Sequence, residues 1–424
     1  MLASCFNAKA MNKVFCMLVF LFTSTFLFGQ VKYDYNWALG HDSNLVDSTF
    51  GGTDINFNES PVSLSYVFRD IDINHANATM SDEEGNLLLY SNGCKIFNAD
   101  HELMLNGDSI NVGEVHNIQC NSGGYTISQS MFTLPMPDND SIYYLFHNRI
   151  IYLTSPFEVK TDKLLYTIIN KYHDNGSGAV IEKNQIAIDD TLNYGRTTAV
   201  KHSNGIDWWI IAPGHLNPKY YSLLLSSDGL TLFNEQEIGN NISYSGEGSG
   251  QAAFSPDGTK YARYNRTDQV YLFDFDRSTG QLSNFQQLMV ADTANSGGAV
   301  FSPNSRFLYI SSLVYIYQFD LWATDIQASK KIVATWDGFL ELDFFPTNFA
   351  LMQMGPDCRI YINTTAGTSF FHVIQFPDLE GEACQVEQRA VKLSSYNSRA
   401  MPHFPNYRLG LTPTYPCDPT IDIP

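Results

Sequence analysis

Three oxygen-bearing side chains alternate in the run "RDIDIN": Asp70, Asp72 and Asn74. In a strand, alternation places all three on one face, and carboxylate and carboxamide oxygens gathered there suit a hard cation such as Ca²⁺. No calcium-loop spacing accompanies them, and hydrogen bonding at turns and strand ends uses the same residue types. They are the metal candidates of this sequence, and no other cofactor is implied.

Patterns for covalent or acid–base chemistry are incomplete, and no catalytic residue is assigned. The glycine-rich "GEGSGQ", Gly246 to Gln251, has no Lys-Ser/Thr pair and leads into a strand, whereas a phosphate cradle needs a helix N-terminus. The serines of "SYSGEGSG" are out of register for a nucleophile elbow. "HELML" from His101 lacks the second histidine of a zinc-protease helix, and the ten histidines are scattered singly. Trp208, Trp209, Tyr220 and Tyr221 could stack on sugars, but aromatics in alternating strands more often fill a core.

The elements that would position such residues are strands. In "QAAFSPDGTKYARYNRTDQVYLFDFD", Gln251 to Asp276, Pro256 presets a corner, Asp257 can bond back to nearby amides, and Gly258 tolerates the positive φ that closes the turn. Period-two segments on either side make a three-stranded antiparallel meander. The pattern returns from Gly297 and Ala350, and appears upstream from Asn77, Phe132 and Thr197, giving six copies. Gly205, Gly258, Ser305 and Cys358 fall at equivalent turn positions, spaced 53, 47 and 53 residues apart, close to a propeller blade. Small residues before the turns, such as Ala78, Ala199, Ala252 and Ala299, suit inner strands crowded around an axis.

A seventh blade is expected from the two ends together. "RAMPHFPNYRLG", Arg399 to Gly410, reads as an inner strand, while "NWALG", "GGTDINFN" and "SPVSLSYVF" read as outer strands. The expected fold is therefore all-β: a seven-bladed propeller of four-stranded antiparallel blades, closed by pairing N- and C-terminal strands in one blade. With 44% hydrophobic and 14% aromatic residues and no internal linker, 31–410 reads as one domain, followed by a linker-like tail at 411–424.

Residues 1–30 read as a secretory signal peptide, with initiation at Met11 a further option: Lys13 precedes a 15-residue apolar run, Val14 to Phe28, and small residues follow. A membrane anchor would need roughly 20 such residues, so no span is expected after signal removal. Export makes disulfides durable. Five cysteines remain, and the expected pairs are Cys94 with Cys120 and Cys384 with Cys417, leaving Cys358 free. Removing the signal leaves 23 bases against 44 acids, which excludes nucleic acid and anionic membrane surfaces as partners.

Six stretches between about Trp37 and Gly410 share one character: "NATMSDEEGNLLLYSNGCKIFNADHELMLNGDSIN", "TTAVKHSNGIDWWIIAP", "AFSPDGTKYARY", "FSPNSRFLYIS", "MQMGPDCRIYIN" and "MPHFPNYRLG". Through them the chain resembles a family of secreted β-propellers common in Bacteroidota, related to WD-repeat-like propellers and often found in surface proteins sorted by type IX secretion. It departs at Cys358, where a turn glycine is usual, and the chain is expected to work without the C-terminal sorting domain into which similar proteins often continue. The resemblance implies a fold and no set of catalytic residues. The expected function is an exported binding or scaffold module, monomeric, periplasmic or at the cell surface, recognising a protein or glycan through loops or the channel mouth. The alternative is a lactonase- or quinoprotein-type enzyme with a metal or cofactor in the channel. The inner strands offer Ala, Gly, Thr, Met and Phe where that enzyme needs convergent Glu, Asp, Asn or His, so binding is favoured.

Overall fold

A computed structural model describes residues 30–41, 48–121, 123–154, 157–242, 250–292 and 296–423. The signal-peptide reading and most of the "GEGSGQ" run lie outside the described residues. Everything below concerns the compact unit Lys32–Pro424.

The turn chemistry read from the sequence is realised. Gly258 N–H closes on Ser255 O at 2.8 Å, and Asp257 Oδ1 accepts the Thr259 amide at 3.0 Å. Gly205, Gly258, Ser305 and Cys358 all adopt left-handed conformations, with φ of 74°, 73°, 62° and 69°. Ser305 and Cys358 hold this conformation without glycine's freedom, which marks the four positions as one repeated corner.

These corners fold the chain into a seven-bladed β-propeller with almost no helix. The closing blade comes first in the chain: β1 (Asn36–His41), β2 (Gly51–Asn56) and β3 (Ser63–Val67). Blade one is β4 (Ala78–Ser81), β5 (Leu87–Ser91) and β6 (Ile96–Asn98), extended by a bridge from Phe97 to Leu103. Blade two is β7 (Met131–Pro135), β8 (Ile142–Thr154), β9 (Phe157–Asn170) and β10 (Ala179–Ile188). Blade three is β11 (Thr198–Lys201), β12 (Trp208–Pro213), β13 (Lys219–Ser226) and β14 (Gly229–Glu237). Blade four is β15 (Gln251–Phe254), β16 (Lys260–Asn265), β17 (Gln269–Asp276) and β18 (Gln281–Leu288). Blade five is β19 (Ala299–Phe301), β20 (Phe307–Ser312), β21 (Tyr315–Asp320) and β22 (Lys331–Thr335). A hairpin, β23 (Leu340–Glu341) with β24 (Phe345–Pro346), precedes blade six: β25 (Met352–Met354), β26 (Ile360–Ile362), β27 (Thr368–Ile374) and β28 (Val386–Asn397). Every ladder within these sheets is antiparallel.

First strands line the axis: β1 packs on β4, β4 on β7, β11 on β15, β15 on β19, and β19 on β25. The core lies between blade faces. Tyr264, Val270 and Leu272 of blade four meet Phe301, Leu308 and Ile310 of blade five, and Trp209 and Ile211 of blade three meet Tyr261 and Phe273 of blade four. Each such side chain contributes about 1.5–3 kcal/mol of burial, so neighbouring blades hold one another in place.

Two expectations are corrected. The ends of the chain do meet, but without a shared ladder: β1–β3 form a three-stranded sheet, and residues 399–410 contain no strand. Pro402 and Pro405 supply no amide hydrogens, and the amide of Phe404 is spent on Gln353. The second correction concerns the cysteines. The structure joins Cys94 to Cys120, with Cα atoms 5.5 Å apart, and joins Cys358, not Cys384, to Cys417. Cys384 is fully buried among Val300, Phe307, Tyr309 and Ile374, where its thiol is pushed up to about 11 by burial. Asp418 N–H bonds Pro356 O, and this contact carries the tail past the Cys358 corner.

Candidate functional site

In an open propeller the axis is the natural place for a ligand. Here the chain's own segment 399–410 occupies it. Three glutamines from the ring build its seat. Gln129, in the turn before β7, accepts the Ala252 amide at 2.8 Å and donates to the Ala252 carbonyl. Gln251 repeats this on Met352, with its Nε2 2.7 Å from the carbonyl and its Oε1 3.1 Å from the amide. Gln353 does the same to Phe404, at 3.2 Å from the amide and 3.5 Å from the carbonyl. Each carboxamide acts as a one-residue strand, satisfying both backbone groups of the next inner segment. The relay runs from blade two to four to six and ends on the axial segment.

Other bonds fix that segment along its length. Asn363 Nδ2 donates to Arg399 O at 2.9 Å, and Arg399 N–H bonds Asn74 O at 2.9 Å. His403 lies 2.9 Å from Thr198 Oγ1, Asn406 Nδ2 donates to Pro256 O at 2.8 Å, and the Tyr407 hydroxyl donates to Thr133 O at 2.7 Å. Burial lowers His403 to about 3, so its imidazole is neutral at physiological pH.

Near the axis a cavity of about 60 Å³ lies between the inner strands of blades three to six and His403–Asn406. Its polar lining includes Thr198, Gln251, Gln353, His403 and Asn406, with no carboxylate or thiol among the lining residues. Substrate pockets run from about 300 Å³ upward, and a metal or acid–base pair needs more than one imidazole. A larger concavity, about 450 Å³, is a surface groove between blades one and two. Asp82, Glu84 and Asp100 bring carboxylates to it, Leu87 and Leu88 give it a part-buried apolar floor, and Lys171 and Tyr172 form the opposite wall. Asp82 is committed to its turn through the amides of Glu84 and Asn86, while Glu84, Asp100 and Tyr172 are exposed. Tyr172 is 59% exposed, and Lys171 Nζ sits 5.0 Å from its ring centroid.

The residues singled out from the sequence separate in space. Asp70, Asp72 and Asn74 lie in the connection between β3 and β4, off any strand. Asp70 and Asp72 line a polar cavity of about 130 Å³ together with Cys94, Lys95 and Cys120. Asn74 is not itself a lining residue but packs against one, Gly123, and its Oδ1 lies 2.7 Å from His41 Nδ1. Trp208, Trp209, Tyr220 and Tyr221 are all buried, as core residues are. Sequence reading missed Gln129, Gln251 and Gln353. The only signal was their place next to inner-strand residues, where a polar side chain must find a partner.

No protein-family model matches the chain, and no curated protein matches it. Solved structures do. A candidate 6-phosphogluconolactonase from Bacteroides uniformis is 12% identical, with a TM-score of 0.50, covering 85% of this chain and 98% of its own. The periplasmic gluconolactonase PpgL of Pseudomonas aeruginosa is 16% identical, with a TM-score of 0.43 and coverages of 69% and 77%. The β-propeller domain of Cps50 (Swd1) from Myceliophteria thermophila is 10% identical, with a TM-score of 0.42 and coverages of 81% and 96%. At such identities the likeness is one of fold.

Proposed function

We propose that the chain is an exported, non-catalytic recognition propeller that binds a glycan or protein ligand on its outer surface, with the groove between blades one and two as its site. The observation that carries this reading is the axial segment: the place where a propeller enzyme would hold its metal or cofactor is filled by residues 399–410 and bonded to four other blades. Exposed Glu84 and Asp100 can accept hydrogen bonds from hydroxyls or amines, and Tyr172 presents a ring face for stacking.

Export to the periplasm or cell surface belongs to the same proposal, as does kinship with secreted Bacteroidota propellers. Two disulfides support it, because such bonds persist in oxidising compartments. Among the described residues no helix is long and apolar enough to cross a membrane.

Glycan and peptide arrays probed with the mature chain test the reading, with Tyr172→Ala and Glu84→Gln as comparison variants. Binding that both variants weaken, without loss of thermal stability, supports it. Hydrolysis of a sugar lactone by the pure protein, abolished by His403→Ala and untouched by Tyr172→Ala, would instead place the chain among propeller enzymes.

A further inference from the structure

Beside blade one, three soft or borderline ligand atoms converge. The Sγ atoms of Cys94 and Cys120 and a ring nitrogen of His116 all lie within 4.8 Å of one another. His116 Nδ1 is 3.2 Å from Cys120 Sγ. Two ligands of one tetrahedral Zn²⁺, a thiolate at about 2.3 Å and an imidazole at about 2.0 Å, lie about 3.5 Å apart, so the His116–Cys120 spacing already approximates that of a shared metal.

Each ligand is held by bonds that do not involve the disulfide. Cys94 N–H bonds Asn92 Oδ1 at 3.0 Å, and Cys94 O accepts the Ile110 amide at 3.0 Å. His116 and Cys120 stand four apart on the short helix Glu114–Gln119 and its C-cap, on one face, with Cys120 N–H bonded to His116 O at 2.9 Å. Opening the S–S bond therefore leaves the backbone of Cys94 and of the His116–Cys120 turn in place, and the two sulfurs have only to rotate apart to the roughly 3.8 Å of thiolates sharing one tetrahedral metal. The polar cavity of about 130 Å³ that Asp70 and Asp72 line is also lined by Cys94 and Cys120, so oxygen ligands stand beside the two cysteines.

We propose that Cys94, Cys120 and His116 form a redox-gated site for a thiophilic divalent cation such as Zn²⁺, closed in the disulfide and opened by a dithiol reductant. The dithiol gives two electrons and two protons and leaves as its own disulfide, and Cys94 and Cys120 become thiols. Metal binding then releases both thiol protons. His116 Nδ1, which now donates to Ile110 O at 2.7 Å, gives up that bond, and its proton moves to Nε2 so that a lone pair faces the metal.

The test uses the mature chain carrying Cys358→Ser and Cys417→Ser, so that reduction affects one bridge only. Reduced with a phosphine and titrated with Co²⁺ and Zn²⁺, it should show thiolate-to-cobalt charge-transfer and tetrahedral d–d bands saturating at one metal per chain, with none while oxidised. His116→Ala, which leaves the disulfide intact, should weaken Co²⁺ binding by more than an order of magnitude at unchanged circular dichroism. Equal binding by oxidised and reduced protein overturns the proposal. So does an absence of thiolate bands after reduction, or a His116→Ala variant that binds as tightly as its parent.

Discussion

Asp34 and Arg408, 374 residues apart, form a buried two-pronged ion pair. Arg408 Nη1 donates to Asp34 Oδ2 at 3.0 Å and Nη2 donates to Oδ1, with side chains only 4% and 8% exposed. Asp34 stands just before β1 and Arg408 on the axial segment, so this pair does what a shared ladder was expected to do. It ties the first blade of the chain to the last residues that reach the axis.

Removing one partner strands a charge in a site closed to water. Arg408→Ala or Asp34→Ala should each cost about 3–5 kcal/mol. The double variant should lose much less than the sum of the two, because no charge is left alone. Urea denaturation of the four proteins in one cycle measures this. Strictly additive losses would mean that the two residues act separately.

Much of the fold was legible because turns are local. Pro256-Asp257-Gly258 names its own conformation, and the equivalent corners at Ser305 and Cys358 could be found by spacing alone. Chain ends and long-range polar contacts were not legible in this way. Arg399 to Gly410 alternates loosely, as an inner strand would, yet its prolines and its glutamine and asparagine partners take it out of any ladder. Which cysteine meets Cys417 depends on where a tail crosses a blade corner, and a linear sequence does not encode that path. Asp70, Asp72 and Asn74 were read as one face of a strand, but they lie in a connection, and the cysteines that share the cavity with the two carboxylates, Cys94 and Cys120, come from another part of the chain.

Acid should unfold this protein well above the usual carboxylate range. Burial holds His75 and His372 at about 4 and His147 and His403 at about 3, against about 6.5 in the unfolded chain. In His75 and His372 a nearby arginine adds to the effect of burial. Between pH 6.5 and 4 the unfolded chain binds more protons than the native one, so stability is full above 6.5 and falls as pH drops. Each histidine contributes a slope of about 1.4 kcal/mol per pH unit within that window. Urea midpoints measured from pH 7.5 to 4.5 should fall steadily, and His147→Gln, which can keep the bonds to Asn111 and Thr167, should flatten the curve. A midpoint independent of pH over that range would contradict the burial of these rings.

Peptide mapping under non-reducing conditions should recover Cys94 linked to Cys120 and Cys358 linked to Cys417, with Cys384 alkylated only after unfolding. The closed loops span 26 and 59 residues. On chain-entropy grounds they stabilise by about 3.5 and 4 kcal/mol. Cys417→Ser should therefore lower the unfolding midpoint while leaving the Cys94–Cys120 peptide intact. Recovery of Cys384 joined to Cys417 would return the pairing to the one expected from sequence.

The sharpest test of the sealed axis is a single methyl group at Gly298. A Cβ there would stand 2.8 Å from Gln251 Oε1, 2.8 Å from the Met352 nitrogen and 2.9 Å from Ala350 O. It would be driven between the two halves of the Gln251 clamp, and two of the three obstructing atoms belong to backbone that cannot turn away. Gly298→Ala should cost about 2–4 kcal/mol, from overpacking together with a Met352 amide left without its acceptor. Gly410→Ala is the matched control: its nearest neighbour would be Thr412 O at 3.8 Å, so stability should change by no more than about 0.5 kcal/mol. Exchange of the Met352 amide hydrogen, slow in the parent and in Gly410→Ala, should become fast in Gly298→Ala. Equal exchange and equal urea midpoints in all three proteins would show that Gln251 does not hold blade four to blade six.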